Sequence, residues 1–122
     1  MRMLKVKILG KEVQAALLNP EVAEKYDKGL DNCISRIQTA YKNSGTGVAA
    51  LREQCNAVIN YIDDVFGSGT SKEVFGEETD LITCLDAFED MANLYKEQVT
   101  PLVAAKTQEL NRILGGEKND SI

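Results

Sequence analysis

The stretch Leu4-Lys5-Val6-Lys7-Ile8-Leu9-Gly10-Lys11-Glu12-Val13-Gln14-Ala15-Ala16-Leu17-Leu18-Asn19-Pro20-Glu21 decides the fold, because its hydrophobic period changes partway along. Leu4, Val6 and Ile8 fall on one side of an extended chain with Lys5 and Lys7 on the other, and Val13, Ala15 and Leu17 repeat the alternation. Leu9-Gly10-Lys11-Glu12 between them suits a two-residue hairpin turn with Gly10 first of the central pair, the type II′ position that requires positive φ. Residues 1–18 therefore read as a β-hairpin. Asn19-Pro20-Glu21 ends it and opens a helix, with Asn as N-cap, Pro at the first helical position and an acidic residue at the positive end of the dipole. A lone hairpin is marginal in water, so its apolar face needs helices behind it or another chain's strands.

Downstream the period is helical throughout. Val22, Tyr26, Leu30, Cys33/Ile34, Ile37 and Tyr41 recur at three or four residues, giving a helix over 20–43 that ends in Asn43-Ser44-Gly45. Over 47–66, Val48, Leu51, Cys55, Val58, Ile62 and Val65 form an a/d heptad seam. Val-Phe-Gly occurs twice, at 65–67 and 74–76, each glycine suiting the residue that closes a helix. Thr70-Ser71-Lys72-Glu73 has the capping-box pattern of a short helical turn over 71–75.

Thr79 reads as the cap of a last segment over 80–114, along which Leu81, Leu85, Phe88, Ala92, Tyr95, Val99 and Leu102 keep a 4-3-4-3-4-3 rhythm. Beyond Pro101 the apolar set slips to Val103, Leu110, Ile113 and Leu114, which predicts a kink or break near 101 with Thr100 as cap. Gly115-Gly116 ends the helix and 117–122 reads as a frayed tail. The expectation is one α+β, mainly α domain over 1–116, a hairpin followed by a bundle of three to four helices. A length of 122 residues suits one domain and buries enough surface to need no disulfide or metal.

Composition narrows the chemistry. With no histidine, no Ser-His, Cys-His or His-metal centre can form. Three cysteines without a C-x-x-C pair speak against a zinc ribbon or redox dithiol and for a reducing compartment. Cys33, Cys55 and Cys84 fall on or beside helix stripes, with no basic neighbour placed to depress a thiol pKa, and read as packing residues. Asp86, Glu89 and Asp90 share a helix face, and Asp63-Asp64 and Glu77-Glu78-Asp80 are further acidic groups. Each reads as a solvated surface rather than an all-carboxylate cation site. Gly67-Ser68-Gly69-Thr70-Ser71-Lys72 resembles a phosphate loop only superficially, because it follows a helix and its Lys is not next to a Gly. No run is apolar enough for a leader or membrane span, so the sequence predicts a non-enzymatic cytoplasmic protein without cofactor, metal, nucleic-acid or membrane partner.

Charge is segregated. Residues 1–52 carry a net +4, residues 53–97 a net −9, and the remainder balances, for a total of −5. Such a chain can attract its own copies head to tail or a partner of opposite pattern. The protein-contact residues predicted from the apolar rhythm are Leu81, Leu85, Phe88, Ala92, Tyr95, Val99, Leu110, Ile113 and Leu114, used by helix-in-groove packing.

Three strings, Asp63-Asp64-Val65-Phe66-Gly67-Ser68-Gly69-Thr70, Val74-Phe75-Gly76 and Leu81-Ile82-Thr83-Cys84-Leu85-Asp86-Ala87-Phe88-Glu89-Asp90, together span residues 63–90. In them the sequence resembles a family of small proteins encoded in tail-gene clusters of long-tailed phages and prophages of Gram-positive bacteria. The resemblance implies a role in tail assembly, foremost as a tail assembly chaperone that holds the tape-measure protein soluble in the host cytoplasm until tail-tube subunits polymerise round it. It also admits a structural tail protein that self-assembles, with a homo-oligomer as a further partner. A small helical interaction module of unrelated role is the alternative outside that family.

Overall fold

In a computed structural model, which describes residues 1–115, the hairpin is β1 (Leu4–Ile8) and β2 (Lys11–Ala15), paired antiparallel. Five helices come after it among the described residues: α1 (Pro20–Ser44), α2 (Val48–Phe66), α3 (Thr70–Phe75), α4 (Leu81–Ala92) and, after a π-helical turn at Tyr95–Val99, α5 (Thr100–Leu114). The fold is α+β, mainly α. The chain divides into two compact units, Met1–Ala92 and the part from Asn93 onward, where the sequence reads as one domain. The tail expected at 117–122 lies outside the described residues.

The hairpin turn is one residue earlier than expected. Ile8 pairs with Lys11, so Leu9 and Gly10 are the central residues, with φ of 52° and 76°. Positive φ at both positions is the mark of a type I′ turn, not type II′. Alternation could not distinguish the two registers, since they differ by a two-residue slip that keeps every side chain on its face. The observed register sets Val6 opposite Val13 and Lys7 opposite Glu12, an apolar pair on the buried face and an opposite-charge pair on the outer one. Leu9 N–H donates to Asp90 Oδ2 of α4 at 2.9 Å, tying the turn to the helix behind it. A left-handed leucine costs ~1–2 kcal/mol, so Leu9→Asn, which restores the favoured Asn-Gly turn and keeps the amide bond to Asp90, is expected to raise stability by ~0.5–1 kcal/mol. Urea unfolding checks this; an unchanged or lower midpoint would show that the leucine side chain outweighs the strain.

Val6, Ile8, Val13, Ala15 and Leu17 are buried, and α2 is the central helix, packing on α1, α4, α3 and β2. It buries Ala50, Gln54, Ala57, Val58, Tyr61, Ile62 and Val65. That stripe is wider than the heptad seam and has the 3.6-residue period, so the seam is only partly internal: Val58, Ile62 and Val65 are buried, while Val48 is 72% exposed. On α1 the core residues are Tyr26, Cys33 and Ala40, and Tyr41 is 64% exposed, contrary to the stripe read from spacing. Arg36 Nε and Nη2 meet the two Glu53 carboxylate oxygens at 2.7 and 3.1 Å, linking α1 to α2.

Three helix starts show which capping signals hold. Asn19 Oδ1 accepts from the amides of Glu21 and Val22 at 3.0 and 3.3 Å, as its position before Pro20 predicts. α4 is capped by Asp80, not Thr79: its Oδ1 accepts from Thr83 N–H at 2.8 Å and its Oδ2 from Thr83 Oγ1 at 2.9 Å. The Thr70 capping box is absent as well. Asp63, on the preceding helix, accepts from Ser71 N–H at 2.8 Å and Ser71 Oγ at 3.1 Å, so α3 is held by a residue eight positions back.

In the second unit the disturbance lies before Pro101 rather than at it. Proline has no N–H, and its ring would crowd the carbonyl four residues back. The backbone widens instead into the π turn Tyr95–Val99, where Thr100 N–H bonds to Tyr95 O, and α5 starts with Val99 rather than Thr100 at its cap and Pro101 in its first turn. One extra residue per turn rotates the downstream helical positions by ~100°, which is the phase slip seen in the sequence.

Candidate functional site

Three of the carboxylates that the sequence singles out are engaged structurally. Asp90 is bound to the Leu9 amide, Asp63 to Ser71 and Asp80 to Thr83. Hydrogen bonds from the Thr83 amide and hydroxyl hold the Asp80 carboxyl below its usual range. Among the described residues no group of three or more Cys, Asp and Glu could hold a metal ion. The glycine-rich connector is likewise structural. Gly67 and Gly76 close α2 and α3, their amides returning to Asp63 O and Lys72 O.

The cysteines are free thiols. Burial pushes Cys84 up to about 12 against a hydrogen bond with Thr79, whose Oγ1 lies 3.7 Å from its Sγ. Burial also pushes Cys33 up to about 11. Contrary to the sequence reading, Cys33 does have a basic neighbour, Arg36, which pulls the other way and is outweighed. Cys55 is half-buried. Raised thiol pKa values suit packing and not nucleophilic chemistry.

What remains among the described residues is exposed apolar surface. All residues of α5 from Thr100 to Leu114 are exposed, among them Leu102, Val103, Leu110, Ile113 and Leu114, the last two at 61% and 72%. These five fall on one stripe of the helix, with Lys106 between them and held 3.4 Å from Glu109. An amphipathic stripe about 100° wide is what a helix normally turns toward a core.

The first unit carries a second such area beside the start of α4. One hollow of about 470 Å³ is lined by Ile37, Tyr41, Gln54 and Leu85 with Lys42 at its edge, and another of about 480 Å³ by Val48, Leu51, Cys55, Ile59 and Leu81 together with Arg52 and Asp80. Ile82, between Leu81 and Leu85 in sequence, is 67% exposed.

The predicted contact residues thus divide. Leu110, Ile113 and Leu114 stand on the uncovered stripe, Leu81 and Leu85 line the hollows, and Ala92 is exposed. Val99 is buried, and Phe88 is half-buried with its ring 6.3 Å from that of Tyr61, so both belong to packing; Tyr95 is half-buried. Spacing alone misses Ile82, Val48 and Leu102 as surface residues. Ile82 and Val48 carry no local signal of exposure, while the rhythm of the preceding residues puts Leu102 on the wrong side of the phase slip.

No helix among the described residues is long and apolar enough to cross a membrane. Neither the curated proteins nor the solved structures contain a match to this chain. Its residues 9–118 match a family of unknown function, DUF6673, and the chain belongs to that family.

Proposed function

We propose that this protein is a non-enzymatic tail assembly protein of long-tailed phages or prophages of Gram-positive bacteria, acting in the host cytoplasm as a chaperone for the tape-measure protein. The observation that supports it is the uncovered stripe of α5, five aliphatic side chains on a helix with no buried residue. A long helical client offers complementary apolar ridges, and helix-in-groove pairing needs no more than such a stripe with polar flanks. The motif resemblance over residues 63–90 directs the choice of client. Magnitudes also suit a holder that must let go. Each aliphatic yields ~1.5–3 kcal/mol if fully buried, and association costs ~4–15 kcal/mol, which makes the contact reversible.

Co-expression tests the role. A tape-measure fragment that aggregates alone is expected to become soluble and to co-purify with the wild-type protein, and to do so several-fold less with Ile113→Asp. Equal aggregation with and without the protein would overturn the reading.

A further inference from the structure

We propose that the outer edge of β2 binds an extended peptide segment of a partner protein, which adds to the hairpin as a third, antiparallel strand carrying an acidic, an aliphatic and a basic residue in that order. The register fixes which backbone groups face outward. Bonded and non-bonded pairs alternate along an antiparallel hairpin: Val6 with Val13 is bonded like the turn-closing pair Ile8 with Lys11, whereas Lys7 with Glu12 and Lys5 with Gln14 are not. The N–H and C=O groups of Glu12 and Gln14 therefore point away from β1. None of the four has a hydrogen-bond partner among the described residues. β2 has neither a proline nor a bulge to protect that edge.

The edge opens on a hollow of about 470 Å³, lined by Glu12, Val13 and Gln14 on one side and by Phe66, Thr70 and Glu73 on the other. Three consecutive residues of a strand do not share one face, so the hollow runs along the edge of β2, with the end of α2 and with α3 as its far wall. A slot between a strand edge and a helix takes one extended chain, held by main-chain hydrogen bonds. Charge sets the order of its residues. Running antiparallel to β2, the segment meets Gln14 first, then Val13, then Glu12. Lys5 lines the hollow from the far strand, opposite Gln14, and selects an acidic residue there. The residue beside Val13 points inward on the half-buried Phe66, which selects an aliphatic one. Glu12 selects a basic residue, and Glu73 adds to the demand for positive charge. Lys5, Glu12 and Glu73 are the charged residues of the lining, and none of them makes an ion pair among the described residues. Lys7 stands opposite Glu12 in the register but outside the hollow. An added strand also relieves the marginal stability of a sheet with only two. This site does not involve α5, so it stands or falls apart from the tail-assembly role.

The test is amide NMR of the full chain with the peptide Thr-Thr-Glu-Val-Lys-Thr-Thr, blocked at both ends. The Glu12 and Gln14 amide signals are expected to shift saturably and to become protected from solvent exchange. The peptide with its charges swapped, Thr-Thr-Lys-Val-Glu-Thr-Thr, is expected to bind several-fold more weakly, and Glu12→Lys to weaken binding of the first peptide several-fold. Glu12 is exposed, and the rest of the spectrum checks the fold of that variant. The first peptide N-methylated at its Glu and Lys amides keeps every charge but loses the two donors that reach the Gln14 and Glu12 carbonyls, and is expected not to bind. That comparison needs no variant of the protein, so misfolding does not mimic its result. No saturable shift at Glu12 and Gln14 would overturn the proposal, as would equal binding of the N-methylated peptide, the mark of charge attraction alone, or equal binding of the two charge orders. So would shifts of the same amides on concentrating the protein without peptide, the mark of two copies pairing through this edge.

Discussion

Gly29→Ala is expected to destabilise the protein by ~1–2 kcal/mol, although alanine is the better helix former by ~1 kcal/mol. A Cβ at Gly29, in the middle of α1, would lie 2.6 Å from both Cδ1 and Cε1 of Tyr61. That ring cannot swing aside cheaply. It is buried, its hydroxyl donates to Tyr26 O at 2.8 Å, and it sits between the rings of Tyr26 at 5.9 Å and Phe88 at 6.3 Å. Tyr26 is fixed in turn, its hydroxyl donating to Met91 O and, at 3.3 Å, to Ala92 O at the end of α4. One aromatic cluster therefore joins α1, α2 and α4, and overpacking it costs ~1–3 kcal/mol, more than helix propensity returns. A bulkier Gly29→Leu should cost several kcal/mol more. The sign should reverse in a Tyr61→Ala background, where Gly29→Ala gains its helix propensity and becomes stabilising by about 1 kcal/mol. Urea unfolding of the four proteins decides it: a destabilisation of the same size with and without the tyrosine would refute the steric cause.

That cluster also marks the limit of what the sequence discloses. Period and capping are local, so the hairpin, the start of α1 at Asn19-Pro20 and the helical character of the main segments between residues 20 and 114 could be read from neighbouring residues. Gly29 and Tyr61 are 32 positions apart, and nothing local says that the ring of one needs the missing side chain of the other. The same holds for Asp63 beneath Ser71 and Asp90 beneath Leu9, acidic residues that read as solvated surface until the fold brings an amide to them. Tyr41 and Val48 fail for a related reason. Spacing identifies the apolar side of a helix but not how far along that side a neighbour extends. For the candidate surface the phase slip at Pro101 was legible, since it depends only on which side of the helix each aliphatic occupies. That every residue of α5 is exposed was not legible, because exposure is not set by a helix's own spacing.

Alkaline pH is expected to unfold this protein well before acid does. Cys33 and Cys84 are held neutral by burial, at about 11 and about 12 against an ordinary 9.0, and burial also pushes the Tyr61 hydroxyl above its usual range. The native state therefore keeps protons that the unfolded chain gives up. This contribution is fully present below the unfolded pKa values, and as pH rises past about 9 stability falls by ~1.4 kcal/mol per pH unit for each thiol released only on unfolding. Tyr61 adds to the slope above about 10. On the acid side, Glu53 and Asp80 are held below their usual range, Glu53 by Arg36 and Asp80 by Thr83, so their contribution is present above the unfolded carboxyl pKa and lost as pH falls. Both carboxyls lie at the surface, where screening keeps that loss small. With no histidine, no side chain with an ordinary pKa near neutrality tilts the profile between the two limits. Urea midpoints are expected to hold level to about pH 8 and to drop steeply from 9 to 11. The drop should be shallower in Cys33→Ala and Cys84→Ala, whose lower starting stability does not affect the slope. A wild-type midpoint unchanged up to pH 11 would mean that both thiols titrate alike in the folded and unfolded chain, and so are not in the dry interior where the fold places them.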